Sequence, residues 1–309
     1  MDDKLSRLIP AEDKPKLNVA YKVVLAALSA AAFITQASAN PMKEGILRIG
    51  GSTTLLPTVS TVASDFMRKF RTWDKVNVSL PKKRVIIFVS GGGSGFGIKS
   101  TVNGTVNIGL ASRDLKEKEK KLMEEYQTYL VGRDALVFAV NKENPLAAVR
   151  RGFTLAEIAE LFSGEKRTFN DVDSSLPADG MVLFVRDSGA GSAEMLQKLA
   201  LKKKKISPEA LQLPSQGSLL KKLENNTSGM GYISSGLAFA SDKLAIFDLE
   251  GITPTNENVI NGKYVFIRPL LFVVKGKPDP MTRAFIDYML DEGQKVIKAN
   301  HYVPASHSK

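Results

Sequence analysis

VSGGGSGFGIKSTVNGTVNIGLASRDL, Val89 to Leu115, is the stretch on which the reading of this chain turns. Just before it, Val85-Ile86-Ile87-Phe88-Val89 is an apolar, β-branched run of the kind that forms a buried strand. Ser90 to Gly95 then supplies four glycines and two serines, a composition that lets a backbone turn sharply and approach a ligand closely. A short helix with Ile98 and Val102 on one face is expected next. A second strand, Val106 to Ala111, follows and ends in Ser112-Arg113-Asp114 ahead of another helix. A buried strand thus stops twice at small polar residues where a helix begins. Helix starts carry unpaired N–H groups and partial positive charge, so such a junction can hold an anion.

Two more junctions of this kind lie outside the stretch. Ile46 to Gly50 reads as a strand running into Gly51-Ser52-Thr53-Thr54. The helix after it has Pro57 in its first turn and an apolar stripe of Val59, Val62, Ala63, Phe66 and Phe70. Met181 to Val185 reads as a strand running into Arg186-Asp187-Ser188-Gly189-Ala190-Gly191-Ser192, with Met195, Leu196 and Leu199 on the next helix. Elsewhere, Lys116 to Tyr126 reads as a charged, solvated helix and Leu136 to Val140 as a strand. Thr154-Leu155-Ala156-Glu157 is a capping box, Phe169 to Gly180 a loop, and Ser218 to Asn225 a helix. Gly229 to Ser234 reads as a glycine-rich turn into a strand, and Leu244 to Asp248 as a further strand. Val265 to Val274 is a strand interrupted at Arg268-Pro269, and Met281 to Ala299 a terminal helix. Alternating strands and helices imply an α/β fold with largely parallel sheets, whose ligands bind beyond the carboxyl ends of strands.

Composition bounds the chemistry. At 309 residues two lobes are expected, and 43% apolar residues can fill two cores. The absence of cysteine excludes disulfides, thiolate metal sites and a cysteine nucleophile. The two histidines, His301 and His307, both fall at the end of the chain, which argues against a His-based triad or metal cluster. A net charge of +11 suits anionic partners. No RNA-binding aromatic motif, zinc finger or basic helix accompanies it, so no nucleic-acid partner is expected. Lys202 to Lys205 reads as a solvated helix end. Val23 to Ala39 is apolar, short for a membrane span, and ends in Ala37-Ser38-Ala39. We read residues 1–39 as a secretory signal cleaved after Ala39, the alternative being an uncleaved anchor.

Two function classes compete for the junctions. GGGSGFGIKS approaches a phosphate loop, but the spacing from Gly92 to Gly97 calls for lysine at 98, where Ile98 stands. Ser188 and Ser192 have no basic partner nearby in sequence. A binder fits better: hydroxyls, backbone N–H groups and the planar forks of Arg113 and Arg186 suit a tetrahedral oxyanion.

GSTTLLP at 51–57, GGGSGFGIKS at 91–100, VNIGLASR at 106–113 and RDSGAGS at 186–192 resemble the four anion-binding motifs of the phosphate-binding proteins of ABC importers. GMGYIS at 229–234, YVFIRPLLFVV at 264–274 and EGQKVIKANHYVP at 292–304 resemble later segments of that family. The resemblance implies a two-lobed, type II periplasmic-binding fold, each lobe a central mixed sheet flanked by helices. Residues 40–135 plus 268–309 would form one lobe and 136–267 the other, hinged near Ala135–Phe138 and Phe266–Leu271. It implies an exported, periplasmic, monomeric, non-enzymatic protein without cofactor or metal, which passes inorganic phosphate to an inner-membrane permease. Carried over residue by residue, the ligands would be Thr53, Thr54, Ser94, Gly95, Ser112, Arg113, Arg186, Gly191 and Ser192. The chain departs from the family at Ala190, where a serine is usual, and at Asn107, where an aspartate is common. Sulfate or molybdate therefore stays open as the anion, and a phosphoryl-group enzyme or an adhesin on the same fold stays open as a class.

Overall fold

The computed structural model describes residues 45–305, which belong to one compact unit, Asn40–Lys309. The expected signal segment lies outside the described residues. Twelve strands run in chain order: β1 (Ile46–Gly51), β2 (Ile86–Ser90), β3 (Ile108–Ala111), β4 (Tyr126–Asn141), β5 (Gly152–Phe153), β6 (Val182–Arg186), β7 (Leu211–Leu213), β8 (Gly229–Ser234), β9 (Leu244–Ile246), β10 (Asp248–Leu249), β11 (Ile267–Lys275) and β12 (Val303–Pro304). Ten of them form one sheet with the backbone order β2-β1-β3-β11-β4-β8-β6-β7, and β9 and β12 pair with β4. β5 and β10 form a separate parallel pair.

Parallel registry brings the polar junctions together. Ile46 pairs with Ile86 and Ile49 with Ile108, so Gly51, Ser90 and Ala111 end on the same side of the sheet. β6 likewise runs parallel to β7 and β8. Strands β4 and β11 are antiparallel to their neighbours and to each other, which makes the sheet mixed.

Two cores lie along this sheet. In one, Leu47, Ile49, Ile108, Leu110 and Phe272 pack with Val59, Val62 and Phe66 of helix Leu56–Phe70 and with Phe285 and Met289. The predicted stripe is buried from Val59 to Phe66. Phe66 is fully buried and meets Phe285 and Tyr288 edge-on at centroid distances of 5.5 and 5.0 Å. Burying one such ring contributes about 1.5–3 kcal/mol. The other core joins Leu136 to Val140, Phe162, Phe184, Tyr232, Tyr264 and Phe266. The result is two lobes, with β4 running from one core into the other.

Several elements differ from expectation. The charged helix is Glu117–Met123, and Tyr126, expected at its end, starts β4. Residues Tyr126 to Leu130 are exposed or only partly buried and alternate weakly, which hides the strand from its own sequence, yet they pair with β11 throughout. β11 continues through Arg268-Pro269, with a register shift just beyond, at Leu270/Leu271. The terminal helix divides into Pro280–Leu290 and Gln294–Ala299, because Asp291 leaves the helical region at φ −107°, ψ −92°. A helical turn at Phe169–Val172 occupies part of the expected loop. The predicted capping box forms: Thr154 accepts from the Glu157 N–H at the start of helix Leu155–Ser163.

Candidate anion-binding site

A small, tightly closed polar cavity sits where the junctions converge. It is lined by Ser52, Thr53, Thr54, Gly93, Ser94, Ser112, Arg186, Ala190, Gly191, Ser192 and Arg268. Ser52 to Thr54 follow β1, and Gly93-Ser94 follow β2 at the start of helix Ser94–Val102. Ser112 follows β3, Arg186 ends β6, and Ala190 to Ser192 open the next helix. Gly93 sits at φ +86°, a left-handed conformation that glycine adopts without strain.

Arg186 is held at its base and fork. Its backbone N–H donates to the Tyr232 hydroxyl at 2.9 Å, and Nε donates to the Leu213 carbonyl at 2.8 Å. Nη2 donates to Asp187 Oδ2 and to the Pro214 carbonyl, each at 3.0 Å, and Nη1 donates to Thr53 Oγ1 at 2.9 Å. That last bond joins the two lobes. Burial pulls the Arg186 pKa below its ordinary value, with the nearby Arg268 charge adding to the effect and Asp187 opposing it. An anion in the cavity would relieve that penalty. Burial also pushes the Tyr232 hydroxyl up to about 12, so it stays protonated around neutrality.

The second cavity arginine is Arg268, not Arg113. Arg268 is 3% exposed and donates from Nε and Nη2 to Asp134 Oδ2 at 2.9 and 2.7 Å. Nη2 also donates to Thr54 Oγ1 at 2.9 Å, and Nη1 lies 3.4 Å from Ser112 Oγ. The other oxygen of Asp134 accepts from Ser234 Oγ at 3.0 Å, the Ser235 N–H at 3.2 Å and Ser235 Oγ at 3.0 Å. Tyr302 donates to the Thr54 carbonyl at 3.2 Å, closing the network from below.

Seven of the nine expected ligands line the cavity: Thr53, Thr54, Ser94, Ser112, Arg186, Gly191 and Ser192. Gly95 does not line it. Its N–H donates at 3.1 Å to the Gly189 carbonyl of the opposite lobe. Arg113 lies outside as well. Its fork donates bidentately to Glu119, at 2.8 Å to each oxygen, and Nε lies 3.1 Å from Glu194. Burial lowers its pKa, but the Glu119 hydrogen bond and the Glu194 charge outweigh that, so the net shift is upward.

Gln216 is a partner that sequence reasoning missed. Fully buried, it donates from Nε2 to Ser192 Oγ at 3.2 Å and accepts from the Ser234 N–H at 3.0 Å. Asn107 orders a strand instead of facing the cavity: its side chain accepts from the Arg48 N–H at 2.8 Å. Asp114 and Asp187 are absent from the lining, which among the described residues contains no carboxylate. Gly191 permits the close approach of the lobes. A Cβ there would fall 2.8 Å from the Ser112 carbonyl and 2.9 Å from Ser94 Oγ. No group of three or more acidic or histidine residues among the described residues could hold a metal ion.

Two α/β lobes closed over a polar cavity of arginines, hydroxyls and helix starts define the class of solute-binding proteins. The model of the PBP superfamily domain matches residues 35–292, and the chain belongs to that family. The phosphate-binding protein PstS of Staphylococcus haemolyticus is 27% identical over 245 residues, covering 74% of this chain and 76% of its own. PstS of Pseudomonas aeruginosa is 27% identical over 272 residues, covering 80% and 82%. A phosphate ABC transporter substrate-binding protein of Clostridium perfringens, solved with bound phosphate, superposes with a TM-score of 0.72 at 25% identity. That match covers 84% of this chain and 99% of the other.

Proposed function

We propose that this protein captures inorganic phosphate between its lobes and delivers it to an ABC import permease. The observation that carries the reading is the cavity itself. Two arginines, both more than nine-tenths buried, and hydroxyls from four separate junctions converge on one small polar space. Such an arrangement suits a tetrahedral oxyanion, since planar guanidinium forks and hydroxyls can take its oxygens in several directions. The named relatives and the phosphate-bound neighbour support the choice of phosphate.

The ligand set we propose is Thr53, Thr54, Ser94, Ser112, Arg186, Gly191, Ser192 and Arg268. The lobes are residues 40–135 plus 268–309 and residues 136–267. The core changes along β4 between Val131 and Ala135, within a few residues of this boundary, which supports a division close to it. Hinge closure would bend β4 and β11 where they cross, near Ala135–Phe138 and Phe266–Leu271. The ligand binds the closed form more tightly and so shifts the population toward it. The protein is exported, acts as a monomer and performs no catalysis in this reading. No helix among the described residues is long and apolar enough to cross a membrane.

The test is calorimetric titration of anion-stripped protein with phosphate and with sulfate. Saturable phosphate binding, lost in Arg186→Ala and in Arg268→Ala, is expected. Absence of phosphate binding in the folded wild-type protein would overturn the reading.

A further inference from the structure

Arg113 stands in a ligand-like position in the sequence but does not reach the cavity, and its actual contacts bear on binding in another way. Glu119 accepts both arms of its fork at 2.8 Å and also accepts the Lys116 N–H at 2.8 Å. Arg113 and Lys116 are thereby fixed side by side on the lobe that carries β3. Glu194, on the helix of the opposite lobe that opens with Gly191 and Ser192, places Oε2 between them. It lies 3.1 Å from Arg113 Nε and 2.8 Å from Lys116 Nζ.

We propose that Glu194 is an inter-lobe latch, fastening the closed form through Arg113 and Lys116 and setting how long the captured anion is held. Glu194 acts as a positioning residue. It does not line the anion cavity, but it stands two residues from Ser192, and Arg113 is next to Ser112. The latch walls a groove of about 470 Å³ that shares Ser112, Gly191 and Arg268 with the anion cavity, so it sits beside the way in. The side chains of Arg113 and Glu194 are 10% and 22% exposed, which limits screening of that contact, while Lys116 at 44% is more open to salt.

Opening separates Glu194 from both cations but leaves Arg113 with Glu119. The pairing is therefore gained on closure, and its loss lowers the closed population. Apparent affinity falls in proportion to that population, with most of the change in the dissociation rate. Asp114 and Lys198 also line the groove, so the local field has both signs and bulk charge alone does not duplicate the effect.

The latch rests on phosphate as reporter of closure, so the experiment separates the two. Phosphate association and dissociation rates are measured by stopped flow for wild type, Glu194→Gln and Glu117→Gln. Glu117 is an exposed residue of the same neighbourhood paired with Lys120, and serves as the surface control. Dissociation is expected to quicken about five- to tenfold in Glu194→Gln, with association within about twofold. Raising salt from about 0.05 M to about 0.5 M should narrow the gap between it and wild type. Glu194→Gln should still melt cooperatively, as wild type does. A dissociation rate within about twofold of wild type at low salt, or an equal effect of Glu117→Gln, would overturn the latch. If wild type binds no phosphate, the reading of the cavity fails and the latch is judged by scattering. The anion-free radius of gyration at low salt must then rise in Glu194→Gln, and an unchanged radius overturns it.

Discussion

Replacing Asp134 by asparagine tests the whole architecture behind the cavity. Asp134 is 1% exposed and accepts five hydrogen bonds: two from Arg268, two from Ser235 and one from Ser234. Asparagine keeps the shape but turns one acceptor oxygen into a donor. That donor must face either the Arg268 fork or the two serines, all of them donors here. The greater cost is electrostatic, because Arg268 becomes a buried cation with no opposite charge against it. Breaking a buried pair from one side costs about 3–5 kcal/mol. At about 2–4 °C per kcal/mol for a protein of this size class, the melting temperature should fall by roughly 6–20 °C. Phosphate affinity should also weaken, since the fork that reaches Thr54 and Ser112 loses its anchor. The double variant Arg268→Met/Asp134→Leu separates the two roles. Removing both charges together should restore much of the stability, while phosphate binding is lost because one of the two cavity arginines is gone. Calorimetric melting and phosphate titration on the three proteins read both quantities. An Asp134→Asn protein that melts within about 2 °C of wild type, or a double variant that still binds phosphate as wild type does, would refute this account of the pair.

Three further outcomes follow from the geometry. Gly191→Ala should weaken phosphate binding at least about tenfold (roughly 1.4 kcal/mol) without lowering stability, because its Cβ would press on Ser112 and Ser94 only when the lobes are closed; unchanged affinity by titration would contradict the closed packing. Tyr232 titrates only at about 12, so around neutrality the pH dependence of binding reports the anion. Phosphate affinity should then rise from about pH 6 to about pH 8 as the dianion accumulates, while sulfate affinity stays flat; a phosphate affinity that falls over that range would require an acceptor carboxylate at the ligand. Despite the opposing effect of burial, the Arg113 hydrogen bond, the Lys116 N–H and the Arg113 charge hold the Glu119 carboxyl below its ordinary value. Its stabilisation is therefore complete above the unfolded value of about 4.3 and is lost as pH falls through the lower folded value, so Glu119→Gln should flatten the acid limb of melting temperature against pH.

The junction residues could be found in the sequence because their signal is local: a strand that stops, small polar residues and a helix start, repeated four times. Parallel pairing of β1, β2 and β3 turned that repetition into proximity, placing Ser52 to Thr54, Ser94 and Ser112 at one edge. The choice of the second arginine had no local signal of that kind. Arg113 follows a hydroxyl just past the end of a strand, as a ligand should, but both residues lie on the bend after β3, where local sequence does not set which way each side chain points. With Ser112 turned into the cavity, Arg113 is turned out toward Glu119 and Glu194. Arg268 carried a different signal: a charge inside the apolar run YVFIRPLLFVV, with Asp134 similarly placed in the buried GRDALVF. A charge buried in a strand must be paired, so each of the two sequences announces a missing partner. What identifies them as partners is the antiparallel register of β4 and β11, which sets Arg268 opposite Asp134 across more than a hundred residues of intervening chain. The same crossing strands are the proposed hinge. One ion pair thus anchors a proposed anion ligand at the point where the lobes would bend.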